Sequence, residues 1–327
     1  MTPPAPMLQV DAVIPCYNAA AFVAEAIESV LAQTRPVRRV IVVDDASDDG
    51  TAAVVERFSA AGHPVECVRM HENGGPAAAR NLGVCSGSAP LLAFLDADDR
   101  WLPGHCETLA GLLERHPEAV LAFGNVESDE AGAMEGARLP AGEPVDAFWP
   151  LVLDNMIPHS AVVVRRAAFV AAGGYDPALR HVEDYDLWLR VARLGPVVRS
   201  PHLTGVRRSH PGQTSRDTRR MLLAAWRVRA ATRDRFAREA GADAASLARY
   251  DAALCTAFGR DLRYAWETRS RATFLAVVEA APAEVAGIAE VAERWRRRAY
   301  LLPAWRLAAG VWGRVPVLLR TRLRPAV

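Results

Sequence analysis

The front of the chain alternates short apolar runs with amphipathic stretches. Val10 to Ile14 is a largely β-branched run closed by Pro15, and Arg39 to Val43 is another. Val65 to Met70, Leu91 to Leu95 and Ala119 to Phe123 follow. Runs this short, bounded by turn residues, read as strands buried on both faces of a parallel sheet. Between them, Phe22, Val23, Ala26, Ile27, Val30 and Leu31 share one helical face, and Thr51 to Ala61 is helical again. Asn73-Gly74-Gly75-Pro76 is turn chemistry, with the proline placed to open a further helix. Repeated β-α units of this kind predict a doubly wound α/β sheet with right-handed crossovers.

The pattern then changes. Glu127 to Pro150 is rich in Gly, Pro and acids and reads as a long surface excursion. His159 to Arg165 reads as a strand, and a helix is expected from about Glu183 to Leu194. From about Asp217 the sequence is rich in Ala and Arg with helical periodicity almost to its end. The expected organisation is therefore an α/β domain over 1–215 and a helical C-terminal region over 216–327.

Composition and charge sharpen this picture. Of 327 residues, 51% are hydrophobic and 24% charged, which suits a globular protein and excludes a wholly disordered chain. Neither a signal peptide nor a membrane-spanning run is expected, and five cysteines without a CxxC pair point to a reducing, cytoplasmic setting. All 39 basic residues are Arg, so a Lys-dependent phosphate loop or Schiff-base chemistry is excluded. Residues 1–220 carry 20 Arg against 28 acids, while 221–327 carry 19 Arg against 10 acids. The acidic front half argues against nucleic acid as a partner. From Arg294 onward there are nine Arg and no acid, interleaved with Trp295, Trp305, Trp312 and aliphatic residues. Such a segment can lie on an anionic membrane surface, or pack its apolar face on the protein.

In an open α/β sheet, ligands bind beyond the carboxyl ends of the strands. Three acid clusters are expected there: Asp44-Asp45, then Asp96-Ala97-Asp98-Asp99, then Glu183-Asp184 with Asp186. One such pair can be a helix cap, but three converging clusters would repel one another without a cation. Asp-x-Asp after a buried strand offers the hard oxygens that Mg²⁺ or Mn²⁺ prefers, and leaves room for phosphate.

Six motifs resemble the family-2 inverting glycosyltransferases of GT-A fold. They are Val13-Ile14-Pro15-Cys16-Tyr17-Asn18, Val42-Val43-Asp44-Asp45-Ala46-Ser47, Gly74-Gly75-Pro76-Ala77-Ala78-Ala79-Arg80-Asn81, Phe94-Leu95-Asp96-Ala97-Asp98-Asp99, Gly173-Gly174-Tyr175-Asp176 and Glu183-Asp184-Tyr185-Asp186-Leu187-Trp188. They stand in the family's order across about residues 8–215 and leave the helical C-terminal third uncovered.

The resemblance implies a nucleotide-diphosphate sugar site. Pro15, Tyr17 and Asn18 would lie along the nucleotide, and Asp45 would hydrogen-bond the base, which favours uridine. Arg80 would help hold the nucleotide, or else pair on the surface with Asp45 or Asp99. Asp96 and Asp98 would be the metal-binding pair, with Asp96 reaching metal or ribose. Asp99 would support them or cap the next helix. Asp184 would be the catalytic base, with Glu183 binding the acceptor or orienting the base. His210 would complete the metal site from a mobile loop, and Arg208 would meet the diphosphate. Asp186 and Trp188 are expected to be structural, and His159 has no assignment. The resemblance further implies a glycan or lipid-linked acceptor. A sugar-1-phosphate nucleotidyltransferase would need a Gly-rich basic loop after the first strand, and a dehydrogenase a GxGxxG there. Neither is present. A catalytically silent sugar-nucleotide-binding or scaffold protein remains the alternative from another class.

Overall fold

The computed structural model describes residues 7–129, 134–135, 138–210, 212–213, 217–238, 243–267, 273–274, 277–278, 285 and 287–300. The chain divides into two compact units. One comprises Met1–Phe148 and Asn155–Gly212, the other Trp149–Asp154 and Gln213–Val327.

The first unit is built on one sheet whose order is β3-β2-β1-β4-β9-β6-β10-β5. Its strands are β1 (Val10–Cys16), β2 (Arg39–Asp44), β3 (Val65–Arg69), β4 (Leu91–Phe94), β5 (Arg100–Trp101), β6 (Leu121–Ser128), β9 (Val162–Arg165) and β10 (Val197–Arg207). Two short strands sit off this path, β7 (Met134–Glu135) beside β6 and β8 (Pro144–Val145) beside β10. β1, β2, β3 and β4 pair in parallel, as do β6 and β10; β9 runs antiparallel between β4 and β6. Six of the ten described strands therefore point one way, and their carboxyl ends share one edge. Pro15 is tolerated inside β1 because pairing with β4 ends at Val13.

Five helices lie against this sheet or its edge: α1 (Val23–Leu31), α2 (Thr51–Ala60), α3 (Pro76–Ser86), α4 (His105–Arg115) and α7 (Glu183–Val191), with α6 (Arg166–Ala171) following β9. The helices cover both faces, so strand residues are buried on each side: every β2 residue from Val40 to Asp44 is buried. α3 approaches most closely. A Cβ on its Gly83 would stand 2.5 Å from Val13 Cγ1, so only glycine fits against β1 there. This is the expected α/β architecture with its carboxyl-edge cleft.

Two expectations need correction. Residues 127–150 are not a free surface excursion, because Glu127 and Ser128 complete β6, β8 pairs with β10, and Ala147 and Phe148 are buried. The cause is β10, which runs alongside β6 as far as Ser128 and extends its ladder past Phe123. His159 does not begin a strand. His159–Ala161 forms a single 3-10 turn before β9, fixed by the Ser160 hydroxyl, which donates to Asp99 Oδ2 at 2.5 Å.

In the second unit, α8 (Thr218–Arg238), α9 (Ala244–Glu267) and α10 (Ile288–Tyr300) are joined by the end of α5 (Phe148–Leu153). The last carbonyls of a helix lack intrahelical partners. Here Arg229 Nε donates to Val152 O at 3.2 Å, and Arg260 Nη1 to Leu153 O at 2.8 Å. Arg229 is buried with Asp261, 3.4 Å away. Trp149 packs edge-on against Tyr250 under the Arg249 guanidinium. Trp295, the first aromatic of the basic segment, is buried beside Trp266 rather than presented outward. The rest of that segment, 301–327, lies outside the described residues.

Candidate functional site

The sheet's carboxyl edge collects most of the residues singled out above, in three groups. The first lies at the ends of β1 and β2. Tyr17 is 55% exposed, and Pro15 is half-buried. Asn18 adopts φ +49° and clamps the two strand-end loops: its N–H donates to Ser47 Oγ at 2.9 Å, and its Oδ1 accepts from Asp48 N at 3.0 Å. Asp45 is buried, and its two oxygens accept the N–H groups of Gly74 and Gly75 at 2.7 and 2.8 Å. It therefore holds the turn that opens α3. Each oxygen accepts one of these bonds, and a carboxylate oxygen has a second lone pair.

The second group centres on Arg80, which is a buried ion-pair residue and not a surface one. From the first turns of α3 its Nη2 reaches Asp96 Oδ1 at 2.6 Å and its Nη1 reaches Glu183 Oε1 at 2.6 Å. These partners replace Asp45 and Asp99, and both guanidinium ends are committed within the protein. Burial alone would raise the Asp96 carboxyl, but Arg80 and His159 outweigh it and hold Asp96 well below the usual carboxylate range. Beside this pair, Asp184 sits in the first turn of α7. Its Oδ2 accepts from Asn155 Nδ2 at 3.2 Å and its Oδ1 from Tyr185 N at 2.7 Å. Burial, reinforced by the neighbouring Glu183 charge, raises the Asp184 carboxyl above its ordinary value. Asp186 faces away and pairs with Arg190, while Trp188 is fully buried, as expected.

The third group joins the end of β4 to the end of β10. His210 Nε2 lies 2.9 Å from Asp98 Oδ2, and the imidazole ring rests 5.1 Å from the Phe22 ring. Arg208 donates to Asp98 O from Nε at 3.2 Å and pairs with Glu25. Glu25 is a surface carboxylate, its side chain 46% exposed against 31% for Arg208. Asp99 caps no helix. It is a buried bracket that accepts from Ser160 Oγ and from Arg208 N at 3.1 Å, and it ties β4's end to β10.

Among the described residues no three acids, histidines or cysteines converge as a complete metal shell. Asp98 and His210 nevertheless form a half-exposed carboxylate–imidazole pair, with side-chain exposures of 27% and 22%. Two such donors, with phosphate oxygens and water filling the rest, fit a divalent cation, and the imidazole suits Mn²⁺ better than the all-oxygen shell of Mg²⁺. Asp96 Oδ1 is taken by Arg80 and faces His159.

Residues 11–169 match the family described as Glycosyl transferase family 2. The chain carries a family-2 glycosyltransferase domain. The amylovoran biosynthesis glycosyltransferase AmsE of Erwinia amylovora is 33% identical over 180 residues, covering 54% of this chain and 66% of AmsE. Among solved structures, S. aureus TarS 1-349 in complex with UDP-GlcNAc superposes with a TM-score of 0.68 at 16% identity, over 86% of this chain and 84% of that one. The mannosyltransferase PcManGT from Pyrobaculum calidifontis, in complex with GDP-Man and Mn²⁺, gives 0.57 at 19% identity, over 97% and 86%. These likenesses establish the GT-A fold. The chain spans about 60–66% of the length of curated relatives such as these.

Two residues beside these groups escaped the sequence. His159 lies beneath Asp96 with its Nδ1 3.4 Å from Oδ1, and Asn155 steadies Asp184. No local motif marks either. Only the reversal of β9 between β4 and β6 brings the segment before it to the carboxyl edge.

Proposed function

We propose that this protein is an inverting glycosyltransferase that moves a sugar from a nucleotide-diphosphate sugar to an acceptor hydroxyl, with Asp184 as general base. The observation that carries the reading is the Asp184 carboxyl in the first turn of α7, held by Asn155 Nδ2 at 3.2 Å and Tyr185 N at 2.7 Å and raised by burial and by Glu183. A base with a raised pKa is better matched to taking a hydroxyl proton near neutrality. In the reaction, the acceptor oxygen attacks the anomeric carbon as its proton passes to Asp184. The bond from that carbon to the phosphate oxygen breaks, and its electron pair leaves with the nucleoside diphosphate. One displacement inverts the centre and needs no covalent enzyme intermediate. Asp98 and His210 would hold a divalent cation, which supplies charge neutralisation for the diphosphate when bound. Arg80 keeps the Asp96 and Glu183 charges balanced within the cleft wall.

The names of similar proteins support this reading without extending it: AmsE is a polysaccharide-biosynthesis glycosyltransferase, and the two structures hold UDP-GlcNAc and GDP-Man with Mn²⁺. We place the acceptor in the same chemical class, a glycan or lipid-linked glycan of the cell envelope. No helix among the described residues is long and apolar enough to cross a membrane. The nine-Arg segment from 294 onward offers a peripheral contact with anionic lipid instead. The test is release of nucleoside diphosphate from a panel of UDP- and GDP-sugars during a Mn²⁺ and Mg²⁺ titration. Metal-stimulated release from one donor is expected, and donor binding without any turnover across acceptors would leave the silent binding protein as the better reading.

A further inference from the structure

Asp96 presents two unlike oxygens. Arg80 Nη2 and His159 Nδ1 both address Oδ1, at 2.6 and 3.4 Å, whereas Oδ2 takes no hydrogen bond or ion pair among the described residues. Asp96 is 35% exposed at its side chain, while His159 is 8% exposed and Arg80 6%. The carboxylate is thus fixed from the buried side and open on the other.

The orientation of the imidazole follows from its partners. An ionised carboxylate only accepts hydrogen bonds, so the ring nitrogen facing it must carry the hydrogen. In a neutral ring Nε2 is then the acceptor, and Tyr175 Oη lies 2.8 Å from it. Tyr175 is fully buried and its hydroxyl has Nε2 as the natural recipient of its proton. Donation from Tyr175 O–H to His159 Nε2 leaves Nδ1–H buried without a hydrogen bond of its own, 3.4 Å from Asp96 Oδ1. Aromatic walls keep the ring in place: Phe94 and Trp188 have centroids 5.6 and 6.1 Å from it. Tyr175 is locked in turn by Asn81, whose Oδ1 accepts its N–H and whose Nδ2 donates to its carbonyl. The 3.4 Å gap is long for a hydrogen bond, as contacts in ligand-free sites often are before they tighten on binding.

We propose that His159 is a positioning residue for the donor: held in its Nδ1–H form by Tyr175, it pins Asp96 Oδ1 so that Oδ2 faces the nucleotide sugar. The proposal rests on the glycosyltransferase reading, and it assigns His159 no contact with the reacting atoms. Loss of the pin leaves Asp96 free to rotate, and this weakens donor binding more than it slows the chemistry.

Two variants separate donation from packing. His159→Phe keeps a ring among Phe94, Tyr175 and Trp188 but has no donor. His159→Asn gives up the ring but carries an N–H close to the position of Nδ1. The expected result is a rise of roughly tenfold in donor KM for H159F, with kcat changed less than about threefold, since a hydrogen bond to a charged group is worth about that factor. H159N should lie between H159F and the wild type. If packing alone matters, the order reverses, and H159F matching the wild type overturns the proposal. A second measurement does not depend on turnover or on either variant folding. In full-length protein labelled with ¹⁵N-histidine, His159 should show the neutral Nδ1–H form at pH 7.5, and Tyr175→Phe should shift it toward a tautomer mixture. A predominant Nε2–H form would overturn the pin, whether or not the protein proves to be a transferase. A wild type inactive on every donor, with His159 in the Nδ1–H form, would count against the glycosyltransferase reading alone.

Discussion

Replacing Arg80 with methionine removes one cation held 2.6 Å from each of two carboxylates. The Arg80 and Glu183 side chains are only 6% and 10% exposed, so Glu183 keeps a charge that water cannot reach. Stranding one member of a buried pair costs about 3–5 kcal/mol. Asp96 regains water more easily at 35% exposure, and its share falls to the 0–1 kcal/mol or so of a surface pair. The expected loss is therefore about 3–6 kcal/mol, a drop of roughly 6–24 °C in Tm for a unit of about 200 residues. Asp96 gives this loss a pH signature. Its folded-state pKa is depressed, so its contribution is present above the ordinary carboxylate value and fades as pH falls through the depressed one. Without Arg80 that depression shrinks, and the gap between variant and wild type should narrow below about pH 4. The partner variant Glu183→Gln removes the stranded charge. The double variant R80M/E183Q should recover at least about 1.5 kcal/mol relative to additivity. Urea melts of the four proteins at pH 7.5 supply the cycle. A loss below about 1 kcal/mol for R80M, with no coupling to E183Q, would refute Arg80 as an internal counter-ion.

Three further outcomes follow from the same geometry. Asp184→Asn should lower kcat by about 10²–10⁴ while leaving donor affinity near the wild-type value, because the amide keeps the shape but takes no proton; comparable kcat would rule out the base. His210→Ala should weaken Mn²⁺-dependent nucleotide binding by at least about tenfold in calorimetry, with metal-free binding unchanged, since even outer-shell changes at metal sites cost that much. His105 is buried, stacked 4.0 Å from Trp101, with its Nδ1 3.2 Å from Thr204 O; burial pushes its pKa down to about 3. The unfolded chain binds that proton near pH 6.5 and the folded one does not, so stability is fully present above 6.5 and declines toward pH 3, by up to about 5 kcal/mol. His105→Phe should flatten that decline in melts between pH 7 and 4, and an unchanged slope would contradict it.

What could be read from the sequence was whatever a short window contains. The strand runs show their burial in composition alone, and Asp98 and His210, 112 positions apart, were named separately by motif and loop character. The partners of each group were less legible. Arg80 was placed at the site, yet its commitment to Asp96 and Glu183 joins positions 16 and 103 residues away, and no spacing encodes it. Asp45 was assigned by motif to a base, while its oxygens also accept from Gly74 and Gly75, whose φ of +85° at Gly75 exists only in the folded turn. His159 carried no signal because a lone histidine before an apolar run is ordinary. Its meaning comes from β9 running against its neighbours.

The short stretch Trp149–Asp154 has a bearing on how this protein can be rearranged. It lies inside the sequence of the first unit yet belongs with the C-terminal helices, gripped by Arg229, Arg249, Tyr250 and Arg260. A fragment ending at 212 would keep Trp149 and the carbonyls of Val152 and Leu153 while discarding every one of those partners. Grafting the helices onto another catalytic domain would meet the mirror problem, an Arg229–Asp261 pair with no carbonyls to serve. A recombination event with one crossover produces both faults together, whereas two crossovers, around 149–154 and after 212, move a whole module. Exchange of helical regions among related enzymes should therefore leave its trace at both places in the sequence.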